Sequence, residues 1–458
     1  MVAKEKNKIL NIFVYIFGVI YIAVLFLNLK WVTIPNLKNI QSLIYCIFLL
    51  SCFIGCFLFF VLKKRFQKKA EIFIFILLLT FSFFFRIFFM DFETNDFIHF
   101  LSLWCKEYKI GSIADAMRSK VSNYMPAYNY FLIIFARTRL NDLYEIKLLS
   151  FIFELLTAFL ILKIASKISN KLYSPVYFGV ILLCGVFLIN SSVWAQCDSI
   201  YTYFGLLAFY YALQKKSIRS FICFGISLAL KMQALFLFPI ALLLLLSKDQ
   251  NSQKYLKWRY VFIVPVVFFL INLLPFFFGK SLWDIYSVYF IQTSTYAELS
   301  KNCANLATFF SLLKQGGIGY NIVLIMLVLI TLAYLVCICY FSLRAAKIKG
   351  TLSIYDFVLI AFCFCFGIVF LMPKMLDRFL YFAVIFSIIW AIINKNNRSF
   401  ILCCCLNIGV MFSFMQYIKT TPINLAPINA LFSVGAFLLL MYEFYSIIIK
   451  AEKKLLTE

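Results

Sequence analysis

The chain has 458 residues, of which 64% are hydrophobic and only 14% charged, and its mean hydropathy is +0.95. Soluble domains carry about 45–50% apolar and about 25% charged residues, so a soluble enzyme, a secreted module and a disordered scaffold are excluded. The net charge of +24 is not a nucleic-acid signature either, because the basic residues fall in short turns between apolar runs, as the positive-inside rule requires.

Taken in chain order, apolar stretches near 9–29, 43–62 and 71–90 each approach the ~20 residues that cross a bilayer. Lys4, Lys6 and Lys8 precede the first stretch and no small-residue cleavage site follows it, so a retained helix is expected. The basic turn holding Lys63, Lys64, Arg65, Lys68 and Lys69 is assigned to the cytoplasm, which leaves 91–136 as a first extracytoplasmic loop. Asp91, Glu93, Asp96, Glu107 and Asp115 concentrate there. Phe97, Phe100, Leu101 and Trp104 recur at helical spacing, which predicts juxtamembrane amphipathic helices. Residues 125–136 are apolar but short, with Pro126 near the start, and read as a juxtamembrane or re-entrant helix.

Helices are then expected near 145–163, 173–190 and 199–214, with basic turns at Lys163, Lys167 and Lys171 and at Lys215, Lys216 and Arg219. The stretch 220–246 is too long for one span and short for two. Lys231 and Gln233 in its middle and Pro239 beyond predict a hairpin of two short helices. A helix at 259–278 opens a second extracytoplasmic loop, 279–320, and four further spans follow, with basic turns at Arg344 to Lys349 and Lys395 to Arg398. The C-terminal Lys450, Lys453 and Lys454 fall on the cytoplasmic side. The sum is an all-α polytopic protein of about 12–14 spans, a single membrane domain over 1–458.

Most of the 15 cysteines lie inside apolar runs and are expected to pack as small apolar side chains. Cys337 with Cys339 and Cys363 with Cys365 have no histidine nearby, and His99, the single histidine, falls in the amphipathic segment, so no transition-metal site is expected. A divalent cation held by the outer-loop acids stays open. The orientation rests on basic turns alone, yet the polar clusters 91–124, 194–198, 231–233, 283–305 and 373–378 all fall on the opposite side. Ionisable groups at membrane depth are costly and mark sites, so a pocket at the outer membrane boundary is expected.

The segments that build it are TNDFIHFLSLW (Thr94 to Trp104), NYMPAYNYFL (Asn123 to Leu132), VWAQCDSIY (Val193 to Tyr201), LKMQALFLFP (Leu230 to Pro239), NCANL (Asn302 to Leu306) and MPKMLDRFLY (Met372 to Tyr381). Together they resemble the membrane-embedded glycosyltransferases of the GT-C class, in particular bacterial relatives of the GPI mannosyltransferase family. WAQCDS and LKMQALFLFP, at this separation, carry most of the likeness. Two departures stand out: Leu376, Asp377, Arg378 and Phe379 replace a frequent His-Glu-Arg-Tyr, and Glu154 stands where relatives often have Asp.

The resemblance implies transfer of mannose or another hexose from a polyprenyl-phosphate donor to a glycan or glycolipid acceptor of the cell envelope, at the extracytoplasmic face of the cell membrane. A lipid-linked saccharide flippase or exporter is the alternative. Asp96, matched by its spacing to Trp104, is the first candidate for the carboxylate that takes or orients the acceptor's proton, and Asp91, near Arg86, is the second. Asp198 is a site acid or an N-cap; Trp194 stacks on sugar or anchors at the interface; Gln196 and Gln233 offer amides. Lys231 binds donor phosphate or snorkels. Arg378 does the same or pairs with Asp377. Asn302 and Asn305, three apart on one helix face, contact sugar hydroxyls or satisfy loop backbone. Tyr124 shapes the groove.

Overall fold

The computed structural model describes residues 12–23, 39–294, 298–418 and 426–449. The outer parts of the 9–29 stretch and the lysines at both termini lie outside the described residues.

Among the described residues, nine helices are long and apolar enough to cross a membrane: Ile40–Leu62, Lys69–Phe88, Asp142–Ser169, Trp258–Phe278, Ile318–Ile348, Ile354–Leu371, Asp377–Asn394, Asn397–Ile418 and Ala426–Ile448. Pro175–Leu182 and Gly185–Val193, bent by 45°, make a tenth if taken as one span. The protein is therefore an all-α polytopic membrane protein. Four shorter apolar helices, Ile12–Ala23, Pro126–Phe135, Ser217–Leu230 and Met232–Leu246, also stand among the described residues, and the expected 12–14 spans are reached only if helices of this length are counted. Five long helices rather than four follow residue 318.

The sorting of side chains fits a lipid solvent. Ile354–Leu371 is buried over 89% of its apolar window and sits inside the bundle, whereas Ile318–Ile348, at 17%, turns most of its surface outward. All described cysteines are free thiols, most of them buried among apolar neighbours, as the sequence suggests.

The elements of the 91–136 segment are helical. A π turn, Phe97–Leu101, runs directly into Ser102–Lys109; Ile113–Arg118 follows, started by a Ser112/Asp115 capping box, and Pro126–Phe135 begins with the proline that suits a first helical position. The 220–246 stretch breaks at Lys231, whose extended backbone (φ −157°, ψ 136°) separates Ser217–Leu230 from the 3-10 turn Met232–Leu237.

One regularity organises the molecule. A helix rises about 1.5 Å per residue, so the 20-residue Lys69–Phe88 helix holds Lys69 and the loop carrying Asp96 about 30 Å apart. The same holds elsewhere. Lys167, Lys215 and Lys395 lie at or just beyond the far ends of helices whose near ends carry the polar segments.

Candidate functional site

Asp96 follows Thr94 and Asn95 at the start of the π turn and is 8% exposed. Two features upstream fix its loop. The Lys69–Phe88 helix ends without a capping side chain of its own, and the buried Lys147 ammonium supplies one from the neighbouring helix, donating to the carbonyls of Phe89 (2.7 Å), Met90 (3.1 Å) and Phe92 (2.8 Å). Those three bonds use all of an ammonium's donors. Thr94 Oγ1 then donates to the Trp194 carbonyl at 3.3 Å, tying the loop to the next segment.

That segment is also shaped by a π turn, Leu188–Val193, after which Ala195 adopts φ +59°. A left-handed alanine costs roughly 1–2 kcal/mol, and such strain collects at functional sites. Here it stops the helix so that side chains two apart point the same way. Trp194 Nε1 (3.0 Å) and Gln196 Nε2 (2.9 Å) both donate to Asp96 Oδ2. Backbone bonds from Gln196 N to Asn190 O (2.9 Å) and from Ser150 Oγ to Gln196 O (2.7 Å) hold the turn.

Arg378 arrives from the other side of the chain. Its NH1 lies 3.4 Å from Asp96 Oδ2 and donates to Gln196 Oε1, and its guanidinium sits 5.5 Å from the Trp194 ring centre. Tyr417, in the last turn of Asn397–Ile418, donates to Asp96 Oδ1 and stacks on Trp194 with ring centres 4.6 Å apart. The second carboxylate, Asp198, accepts from Lys231 Nζ at 2.5 Å and Asn190 Nδ2 at 2.9 Å. Lys231 also lies 5.4 Å from the Tyr124 ring centre and 5.6 Å from that of Tyr201. Burial pushes the Tyr124 phenol pKa up, which keeps it a neutral π partner.

These groups face one cavity of about 730 Å³, lined by Asp96, Tyr124, Trp194, Gln196, Lys231, Gln233, Asp377 and Arg378, with Lys301, Lys374 and Tyr417. Phe100, Leu101, Trp104, Leu324, Val328 and Phe379 are among the apolar residues of its wall. Three buried polar atoms on the lining, Gln233 Oε1, Asp377 Oδ2 and Arg378 Nε, have no hydrogen-bond partner among the described residues. Buried polar groups are normally satisfied, so a polar ligand here would complete them.

Several sequence expectations are corrected. Asp91 lies off the cavity lining and accepts from Tyr144, while Arg86 pairs with Glu154 at 2.8 Å instead. Asn302 and Asn305 share no helix face, having φ +53° and φ −134° in a loop that precedes Leu306–Phe310. Asn305 Nδ2 instead donates to the carbonyls of Val369 (3.4 Å) and Met372 (3.2 Å) where Ile354–Leu371 ends. Together with the parallel pairing of Ser300 with Met375 and Lys301 with Leu376, this holds the loop that delivers Arg378. Asp198 makes no N-cap, Lys231 is 7% exposed and does not snorkel, and Trp194 at 1% is no interfacial anchor. Asp377 accepts from the backbone N–H of Arg378 (2.8 Å) and makes no side-chain pair with its guanidinium.

The outer-loop acids disperse to separate partners, Asp91 to Tyr144 and Asp115 to Ser112. Among the described residues no three metal-ligating side chains gather. Tyr417 and Lys147 were missed: each lies within a long, largely apolar helix and belongs to no motif. Comparison of the sequence with protein-family models and with curated proteins finds no match.

Proposed function

We propose that the protein is a membrane glycosyltransferase that moves a sugar, mannose or another hexose, from a polyprenyl-phosphate donor to an acceptor hydroxyl at the extracytoplasmic face. The observation that carries this reading is one cavity in which a carboxylate, Asp96, and two cations, Lys231 and Arg378, stand beside a long apolar wall. Each group has a task in the transfer. The acceptor oxygen attacks the anomeric carbon and the carbon–oxygen bond to phosphate breaks. Polyprenyl phosphate departs with the electron pair, and the acceptor's proton passes to the Asp96 carboxylate.

Charge growing on the departing phosphate requires fixed cations, and Lys231 as a point charge with Arg378 as a planar donor supplies them. The orphaned polar atoms of Gln233, Asp377 and Arg378 suit the hydroxyls of a hexose. The apolar wall continues to the surface at Phe100, 47% exposed, and gives a lipid tail an exit into the bilayer. Each basic turn lies a helix length from the cavity, which supports the extracytoplasmic assignment.

A flippase would carry charge onward through the bundle. The deeper Arg86–Glu154 pair is closed off from the cavity lining, which favours transfer over passage. Purified protein incubated with radiolabelled polyprenyl-phosphate sugars and a cell-envelope extract is expected to move label into an acceptor fraction. Movement of intact lipid-linked saccharide across proteoliposomes, with no transfer in the same preparation, would replace this reading by the flippase.

A further inference from the structure

The four donors on Asp96 divide unequally. Trp194, Gln196 and Arg378 all meet Oδ2, whereas Oδ1 receives Tyr417 alone among the described residues. A carboxylate oxygen bound by three fixed donors has little capacity left, so an incoming hydroxyl must meet Oδ1. The group already there is a hydroxyl on a six-membered ring. That ring lies over Trp194 at 4.6 Å and an interplanar angle of 26°.

We propose that Tyr417 is a placeholder for the acceptor's sugar: its phenol occupies the slot between Trp194 and Asp96 Oδ1 that a pyranose ring with an edge hydroxyl takes during reaction. The inference rests on the reading of Asp96 as the carboxylate that receives the acceptor. It names the acceptor as a carbohydrate. A pyranose has an apolar C–H face to lay on the indole and hydroxyls at its edge, as the phenol does. A serine or threonine of a protein brings a hydroxyl without a ring and would leave Trp194 bare. Tyr417 can yield by rotating its side chain, which breaks no backbone hydrogen bond of Asn397–Ile418. Oδ2, held by its three donors, keeps Asp96 in place meanwhile.

Carbodiimide coupling to glycine ethyl ester, read at Asp96 by tandem mass spectrometry on the full-length protein, tests this without a known substrate. Asp96→Asn gives the blank. Tyr417→Phe keeps the stack on Trp194 and removes only the donor, so coupling at Asp96 is expected to rise on the order of tenfold over wild type. Methyl pyranosides should restore protection in the Phe variant and a Ser/Thr hexapeptide should not. Equal coupling in the two proteins, protection by the peptide, or protection by neither would overturn the proposal. The underlying reading is tested separately by transfer activity. If Asp96→Asn still transfers sugar while the coupling results are as expected, Asp96 loses its role as base and Tyr417 remains the placeholder of a sugar slot.

Discussion

The Lys231 ammonium lies 2.5 Å from a carboxylate oxygen of Asp198, and the two side chains are only 9% and 1% exposed. A pair this buried adds little net stability, but removing one partner strands the other charge, at a cost of about 3–5 kcal/mol. Lys231 is the counter-ion of Asp198, and the proposed transfer gives it a second role as binder of donor phosphate. The two roles can be separated. Lys231→Met should lower both thermal stability in detergent and affinity for a fluorescent polyprenyl phosphate. The double variant Lys231→Met/Asp198→Asn should regain most of the stability and none of the affinity. Wild-type affinity in the double variant would reduce Lys231 to a structural counter-ion.

Asp96→Asn keeps the shape that Trp194 and Gln196 hold and removes the charge that the proposed transfer needs to take the proton. General-base contributions run at about 10²–10⁴-fold, so transfer should fall by that factor while binding of the polyprenyl-phosphate donor changes little. Equal losses in transfer and donor binding would place Asp96 with the donor-binding groups rather than at the acceptor.

Lys147 hydrogen-bonds no lining residue of the cavity, yet it gathers the carbonyls of Phe89, Met90 and Phe92 at the start of the loop that carries Asp96. It is a positioning residue. Lys147→Met leaves those carbonyls without their donor and frees the loop. Misplacing a reacting group by about 1 Å can cost roughly 10²-fold, so the maximal rate should drop by one to two orders of magnitude while donor affinity, carried by Lys231 and Arg378, persists. A loss confined to thermal stability, with the rate unchanged, would show that the clamp serves the fold alone.

These residues also show what the sequence made legible. Hydropathy and basic turns were sufficient for the all-α membrane architecture, and Asp96, Trp194, Gln196, Lys231 and Arg378 stood out because ionisable or amide groups in apolar surroundings are few. Their convergence into one cavity follows from segments that all sit at the same ends of their helices. Other features depended on backbone geometry that local pattern does not encode. The spacing of Asn302 and Asn305 suggested a helix face, but a left-handed Asn302 and pairing with the 375–376 segment place Asn305 at a helix end instead. Lys147 carried no motif or spacing signal; its carbonyl partners come from a loop 55 to 58 positions away. The number of spans turns on helices such as Asp198–Leu213, 16 residues long, which fall short of the ~20 residues that cross a bilayer.

Sidedness is the remaining physical link, because the proposed lipid-linked donor would reach the cavity from one leaflet only. Ser112 and Asn396 are both exposed, Ser112 beside the juxtamembrane helices that border the cavity and Asn396 in a basic turn. A cysteine at each position, labelled in intact spheroplasts with a membrane-impermeant maleimide, reports the two sides. The cavity's polar groups and the basic turns occupy opposite ends of the same helices, so one label excludes the other. Ser112→Cys should label in intact cells, and Asn396→Cys only after the membrane is opened. The reverse pattern would put Asp96 and Arg378 in the cytoplasm, where the donor is expected to be a nucleotide sugar rather than a polyprenyl phosphate, and the proposed transfer would fall with the topology.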